Sequence, residues 1–167
     1  DFGGESAITL IDKYPNLVVT HTLSKSRSLA GLRVGYACAH SELIDGLERV
    51  KNSFHPYALD KLALAGAIAS FEDDDYFTEV CSKVINIRET TKHQLVKLGF
   101  EVLPSKANFL FVKHETMLSV DIAKSLRENN IVIRHFDSPR IDQYLRISIG
   151  NEDEMATIYD VLNKIIN

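Results

Sequence analysis

The sequence has few cysteines, no excess of basic residues and no long apolar run. Its two cysteines, Cys38 and Cys81, form no CxxC pair and have no histidine at zinc-binding spacing, so neither a disulfide framework nor a metal site is expected. No apolar run reaches the roughly 20 residues that a membrane helix needs, so no membrane partner is expected. With a formal net charge of -4, the chain is not expected to bind nucleic acid. Reduced cysteines favour the cytoplasm.

The chain also lacks a recognisable start. It opens with Asp1-Phe2-Gly3-Gly4 rather than Met, and neither basic residues nor an apolar stretch follow, so no signal peptide is predicted. A polar, glycine-rich opening is typical of a loop, and we expect it to be part of something longer. The 167 residues, 45% of them hydrophobic and 25% charged, suffice for one compact domain or two small lobes.

Two short apolar runs predict strands in the first part of the chain. Residues 17–20 are rich in β-branched side chains, and residues 34–39 are small and apolar. The polar connection between them barely reaches the length of a parallel crossover, so we expect an antiparallel return. Helices are predicted over residues 6–14, after the N-cap candidate Ser41, and over 58–71.

The second part of the chain has the alternating pattern of an α+β lobe. Residues 73–98 predict one long helix that ends at Gly99. Asn151 and Glu154 have the spacing of a capping box at the start of the last helix. The other predicted elements are strands at 100–103, 109–112, 131–133 and 144–149 and a helix at 117–129.

The densest functional signal is a polar stretch that reads T-L-S-K-S-R-S-L-A-G-L-R-V-G-Y and begins at Thr22. It follows a predicted strand, and α/β sheets bind ligands at strand ends. The hydroxyls of Thr22 and Ser24, the amine of Lys25 and the guanidinium of Arg33 could bind a phosphate. No GxxxxGK[ST] occurs, so the stretch is not a P-loop. Spacing alone also fits a solvated basic loop, and both interpretations stay open at this point.

This stretch closely resembles the cofactor-lysine motif of fold-type-I aminotransferases, T-x-S-K-x-x-x-L-A-G-x-R-x-G-Y, and is nearest to the histidinol-phosphate aminotransferase group. The resemblance implies that Lys25 is the catalytic lysine and holds pyridoxal 5′-phosphate as a Schiff base. It also implies that Thr22, Ser24 and Arg33 bind the cofactor phosphate. The activity it implies is transamination of a small amino substrate in histidine biosynthesis, by a homodimer.

The resemblance continues to the C-terminal end of the chain. The stretch S-K-A-N-F matches the family's S-x-A-N-F and contains Asn108, and L-R-I-S-I-G matches L-R-I-S-x-G and contains Arg146. The resemblance implies that Arg146 binds the anionic end of the substrate and that Arg134, which ends the stretch I-V-I-R, binds a substrate phosphate. Asn108 either assists Arg146 or satisfies the backbone at a strand start. For both arginines, a surface residue at a strand end is the alternative.

The resemblance also implies what precedes this chain. The family's D-E-A-Y run, with the aspartate for the cofactor ring nitrogen, would lie just upstream of Asp1. The fold it implies is α/β: residues 1–75 belong to a truncated large cofactor-binding domain, residues 76–98 connect, and residues 99–167 form a small α+β C-terminal domain. We expect this piece alone to be inactive and to expose apolar surface.

One departure and two alternatives limit the substrate assignment. Where the family has an asparagine-containing turn, this chain has His55-Pro56-Tyr57-Ala58. A decarboxylase of the same fold that acts on a phosphorylated substrate has the same lysine motif. A non-catalytic α+β binding module is the alternative from another class. The scattered histidines are interpreted as ordinary, although His135, beside Arg134, is a weaker candidate for a phosphate contact.

Overall fold

The structure is a computed structural model that describes residues 1–166. The chain divides into two compact units within one long helix. The first contains Asp1 and Gly3–Val80, and the second contains Phe2 and the residues from Cys81 onward. Each unit is described by itself below.

The first unit is built around a two-stranded antiparallel ribbon. Strand β1 (Val18–Thr22) pairs with β2 (Gly35–Ala39), so that Thr22 lies opposite Gly35. The predicted antiparallel return is therefore confirmed. A Cβ atom at Gly35 would lie 2.7 Å from the carbonyl oxygen of His21, a distance that real Cβ atoms essentially never show. Only glycine allows the two strands to approach this closely.

The helix predicted over residues 6–14 is wrong in extent. A 3-10 helix covers Ala7–Leu10, and Ser6 caps it by accepting a hydrogen bond from the Ile8 N–H at 3.2 Å. No residue of this short helix is buried. Because isolated short helices depend on tertiary packing, a segment without a buried face does not extend further.

Two α-helices complete the first unit. Helix α1 spans Ser41–Phe54, so the predicted cap Ser41 is instead its first helical residue. Helix α2 spans Lys61–Glu72 and starts later than the predicted residue 58. The reason is Asp60, which caps the helix: its Oδ1 accepts hydrogen bonds from the N–H groups of Leu62 and Ala63, at 2.8 Å each. The small core of this unit consists of buried side chains from the β1–β2 connection and α2: Leu23, Val34, Ala63 and Ala67.

Helix α3 spans Asp74–Lys97 and carries the division between the units. It ends before Gly99, whose φ of +81° is the left-handed conformation that glycine adopts freely. In the second unit, strands β3 (Phe100–Val102), β4 (Phe109–His114), β5 (Arg134–His135) and β6 (Leu145–Ser148) form an antiparallel sheet of order β3-β4-β6-β5.

Helices α4 (Ser119–Glu128) and α5 (Glu152–Ile166) contribute apolar side chains to a core that they share with this sheet. The core is centred on residues such as Leu110, Leu126, Leu145 and Leu162, which are almost completely buried. The predicted capping box of α5 is confirmed: Asn151 Oδ1 accepts from the Glu154 N–H at 2.9 Å, and Glu154 Oε2 accepts from the Asn151 N–H at 2.8 Å.

The strand predicted at residues 131–133 is wrong, because β5 begins only at Arg134. Asn130 takes a left-handed φ of 62° and donates to the Arg127 carbonyl at 3.0 Å, and Ile131 donates to the Leu126 carbonyl at 2.9 Å. These two bonds form a Schellman motif at the end of α4. Ile131 therefore belongs to the helix cap rather than to the ladder.

No helix within residues 1–166 has the length and apolar character needed to cross a membrane. Over the same residues, histidine, cysteine, aspartate and glutamate side chains form no group of three or more that could bind a metal ion.

Candidate active site

The β1–β2 connection is a folded loop rather than an open one. Leu23 is 1% exposed. Its N–H donates to the Val34 carbonyl at 3.1 Å, and its own carbonyl accepts a hydrogen bond from the Leu29 N–H at 3.0 Å. Within this frame, the Ser28 N–H donates to the Lys25 carbonyl at 3.1 Å, and Ser28 has a left-handed φ of 57°. Lys25 thus lies at the exposed tip of a turn whose two ends are anchored in the core.

Four polar side chains gather at this end of the ribbon. Thr22 is the last residue of β1, and its Oγ1 accepts a hydrogen bond from the Ser24 N–H at 3.2 Å. Arg33 approaches β2 in a left-handed conformation with a φ of 56°, and its Nη1 donates to the Ala30 carbonyl at 3.0 Å. Within residues 1–166, no carboxylate lies within ion-pair distance of Lys25 or Arg33. Two hydroxyls and two cations without a competing anion are a donor set suited to a phosphate.

Sequence reasoning missed the role of Arg27, two residues after Lys25. Its guanidinium lies between the rings of Phe71 and Phe77, at 4.3 and 4.1 Å from their centroids. It also donates to the Ser70 carbonyl and lies 3.6 Å from Asp74. Arg27 therefore ties the lysine turn to the junction between α2 and α3. The motif gives no signal for this contact, because Arg27 occupies one of its unspecified positions.

A second missed contact involves Asp1. Its carboxylate accepts a hydrogen bond from the Ser26 hydroxyl and lies 3.3 Å from Nε2 of His21. The His21 ring stacks on Tyr36, with 5.3 Å between the centroids. Burial lowers the pKa of His21 below its ordinary value, which favours its neutral form. Asp1 thus links β1 to the lysine turn.

Arg146 and Arg134 share the open face of the sheet in the second unit. Successive side chains of a strand point to opposite faces of the sheet. Leu145 and Ile147 are buried on one face of β6, so Arg146, between them, lies on the other, exposed face. Arg134 is its direct partner on β5. The guanidinium of Arg134 lies 5.5 Å from the ring centroid of Phe136, and that of Arg146 lies 5.5 Å from the ring centroid of Phe109.

A cavity of about 270 Å³ lies beside these two arginines. Besides Arg134 and Arg146, its lining includes Arg127 from the last turn of α4 and Ser148 from β6. Sequence reasoning identified two of the three arginines. Arg127 gave no comparable signal, because it lies outside the matched motif stretches.

Asn108 has a clear backbone role. Its carbonyl accepts the Ile149 N–H at 2.9 Å, which continues the β4–β6 pairing by one residue. The buried Arg88 donates to the neighbouring Ala107 carbonyl at 3.1 Å and so fixes the entry to β4. Arg146 pairs with Phe111, three positions further along β4. The assistance of the Asn108 side chain to Arg146 stays a prediction.

The predicted site residues are therefore divided between the two units. Thr22, Ser24, Lys25 and Arg33 lie together in the first unit, and the cluster of Arg134 and Arg146 lies in the second. The weaker candidate His135 contacts the Asp142 carbonyl through Nε2 at 2.8 Å, so this nitrogen is already engaged with the backbone.

Sequence comparison assigns nearly the whole chain to one family model. The model for aminotransferase class I and II matches residues 1–162. Histidinol-phosphate aminotransferase 1 of Pseudomonas aeruginosa is 57% identical over 163 residues, which are 98% of this chain and 46% of that protein. Histidinol-phosphate aminotransferase 2 of Dechloromonas aromatica is 55% identical over 165 residues, which are 99% of this chain and 46% of that protein. The chain thus spans about half the length of the curated relatives it matches.

Solved structures with the same fold include a cofactor complex. Histidinol-phosphate aminotransferase from Sinorhizobium meliloti, in complex with pyridoxal-5′-phosphate, superposes with a TM-score of 0.78 at 26% identity, over 95% of this chain and 44% of that one. A decarboxylase from Sulfurospirillum multivorans superposes with a TM-score of 0.81 at 26% identity, over 98% of this chain and 47% of that one.

These similarities confirm the predicted fold class, since the helices and strands of this chain align with about half of a larger aminotransferase-type fold. The motif stretches around Lys25, Asn108 and Arg146 all lie inside the matched range. This chain belongs to the aminotransferase class I and II family.

Proposed function

We propose that this chain is the cofactor-lysine and C-terminal portion of a pyridoxal-phosphate-dependent histidinol-phosphate aminotransferase of histidine biosynthesis. The observation that carries the proposal is the folded turn that presents Thr22, Ser24, Lys25 and Arg33 at one end of the β1–β2 ribbon. The names of relatives at 55% and 57% identity support the same activity.

The cofactor would be held by the lysine turn. Thr22 and Ser24 would donate their hydroxyls to the phosphate of pyridoxal 5′-phosphate, and Arg33 would neutralise its charge. Lys25 would hold the cofactor covalently through Nζ. Bound in this way, pyridoxal phosphate supplies an electron sink for negative charge that develops on the substrate.

The chain's own residues would perform three tasks in the reaction. The amine of Lys25 would act as the general base that removes the proton from the substrate Cα. Arg146 would bind the anionic end of the substrate, which in histidinol phosphate is the phosphate that Arg134 would also bind. Asn108 would support Arg146. Fixing the substrate at both its amine and its anionic end would orient the Cα–H bond for proton transfer.

The domain organisation is proposed from the same resemblance. Residues 1–75 would be part of a large cofactor-binding domain, residues 76–98 the connecting helix, and residues 99–167 the small C-terminal domain. The protein would act on a small amino substrate as a cytoplasmic homodimer. The exposure of large apolar side chains on α1 and α2, including Phe54 at 91% and Leu62 at 81%, favours coverage of this surface by further protein.

A decarboxylase is the second candidate function. It is favoured by one observation, the decarboxylase of the same fold at 26% identity. Transamination is better supported, because the relatives at more than twice that identity are aminotransferases by name. The two reactions differ in what they release: a decarboxylase releases CO₂ from the substrate, and a transaminase converts a keto acid into an amino acid.

The proposal is tested in the complete protein that contains this chain. The cofactor is titrated in, the adduct is reduced with borohydride, and the modified peptide is located by mass spectrometry. We expect one modification, on Lys25, its absence in Lys25→Ala, and its retention in the control Lys51→Ala on α1. Histidinol phosphate, which has no carboxyl group to lose, should yield an amino acid from a keto acid, and an O-phosphorylated amino acid supplied in its place should release no CO₂. Labelling spread over many lysines would contradict the cofactor site, and CO₂ release would favour the decarboxylase.

A further inference from the structure

We propose that Arg127 is a specificity-determining residue that completes a three-arginine pocket for a dianionic phosphate monoester. This inference rests on the proposed function and deepens it, because it concerns how the substrate phosphate is distinguished from a carboxylate. The pocket is the cavity of about 270 Å³ that Arg127, Arg134, Arg146 and Ser148 line.

The backbone places Arg127 firmly beside the two strand arginines. Its carbonyl accepts the Asn130 N–H at 3.0 Å in the Schellman motif that ends α4. The same motif turns the chain so that Ile131 packs on the core and β5 begins at Arg134. The Schellman motif therefore sets the backbone positions of both Arg127 and Arg134. The pairing of β5 with β6 then places Arg146 directly opposite Arg134.

The pocket carries positive charge that the described part of the chain does not neutralise. No carboxylate within residues 1–166 lies within 4 Å of the guanidinium groups of Arg127, Arg134 or Arg146. Lys113 on β4 shows the contrast. Its Nζ lies 2.8 Å from Glu101, and this hydrogen bond raises the pKa of Lys113 above its ordinary value. Three cations that line one cavity without such a partner favour the binding of an anion.

The number of cations selects the kind of anion. A carboxylate carries one charge and is satisfied by a single arginine that binds it through two hydrogen bonds. A phosphate monoester carries about -1.5 to -2 charges near pH 7 and has three acceptor oxygens. Arg134 and Arg146 together match the charge of a dianion, and Arg127 on α4 supplies further N–H donors for the third phosphate oxygen, which a carboxylate lacks. The Ser148 hydroxyl is a further donor in the lining.

The test compares Arg127→Ala with Arg127→Lys and Lys124→Ala in the complete, cofactor-loaded protein. Lys124 lies on the same helix and carries the same charge, but it is outside the cavity lining. The steady-state parameters are measured for histidinol phosphate, and the affinity for inorganic phosphate is measured by calorimetry. We expect Arg127→Ala to raise KM by about 10-fold or more while kcat stays roughly constant, because the lost hydrogen bond is made equally in ground and transition states.

The affinity for inorganic phosphate should fall by a similar factor, Arg127→Lys should recover part of it, and Lys124→Ala should resemble the unmodified protein. Equal effects of Arg127→Ala and Lys124→Ala would overturn the proposal, since they would indicate only a long-range effect of charge. Unchanged phosphate affinity in Arg127→Ala would overturn it as well. If the unmodified protein binds no cofactor or transfers no amino group, the proposed function fails, but phosphate calorimetry on the same variants still decides the role of Arg127.

Discussion

Arg134 and Arg146 lie directly opposite each other on β5 and β6, with two like charges in register across an antiparallel pair. Such a pair destabilises a sheet unless an anion lies between the charges. We therefore expect Arg134→Thr to raise the free energy of unfolding by about 0.2–1 kcal/mol at low salt. Urea unfolding of the complete protein at low and high salt measures the change, which should shrink as salt screens the repulsion. A loss of stability at both salt concentrations would show that Arg134 has a structural role instead.

The contacts of Arg27 predict that it holds the lysine turn in place. Arg27→Ala removes two contacts with aromatic rings and a hydrogen bond to the Ser70 carbonyl. We expect a loss of about 1–3 kcal/mol in the free energy of unfolding and faster loss of bound pyridoxal phosphate, followed by its visible absorbance. Arg49→Ala, an exposed arginine on α1, is the matched control. Identical behaviour of the two variants would show that the contacts of Arg27 do not hold the turn.

Removing the amine of Lys25 should abolish transamination in the complete protein. Because Lys25 would be both the point of cofactor attachment and the general base, we expect Lys25→Ala to lower kcat by about 10²–10⁴-fold or more. Stopped assays with histidinol phosphate and a keto acid measure the effect. Lys51→Ala should keep its activity. Near-normal turnover in Lys25→Ala would contradict the assignment of Lys25.

The left-handed conformation of Asn130 gives a prediction about stability alone. Its φ of 62° is tolerated by asparagine and adopted freely by glycine, but it costs other residues about 1–2 kcal/mol. Asn130→Ala should therefore lower the free energy of unfolding by about that amount, and Asn130→Gly should leave it nearly unchanged. Denaturant unfolding of the pair measures the difference. If both variants unfold alike, the cap at the end of α4 contributes little.

Local signals in the sequence were sufficient where the structure is determined locally. The capping box of Asn151 and Glu154 and the left-handed Gly99 depend on residues a few positions apart, so both could be predicted. The strand predicted at 131–133 failed for a related reason. Ile131 and Ile133 pack against the core, but Val132 is exposed, and the Schellman motif assigns Ile131 to the cap of α4.

The candidate site was predictable only in part. The resemblance identified Lys25 and the strand arginines, because motif positions are read one residue at a time. The contacts of Arg27 with Phe71 and Phe77 join residues that are more than 40 positions apart. Arg127 on α4 and Arg146 on β6 line one cavity although they come from different elements. Such contacts depend on tertiary packing, which neither periodicity nor spacing describes.

The close approach at Gly35 also affects how substitution data on this chain should be interpreted. Gly35 is exposed, yet any side chain would place its Cβ 2.7 Å from the His21 carbonyl. A deep mutational scan should therefore find this surface position as intolerant as a core residue. Intolerance at an exposed position beside a lysine turn is easily mistaken for ligand contact. Here the constraint is the short distance between the backbones of β1 and β2. Gly35 should therefore be replaced only in relatives in which these two strands lie further apart.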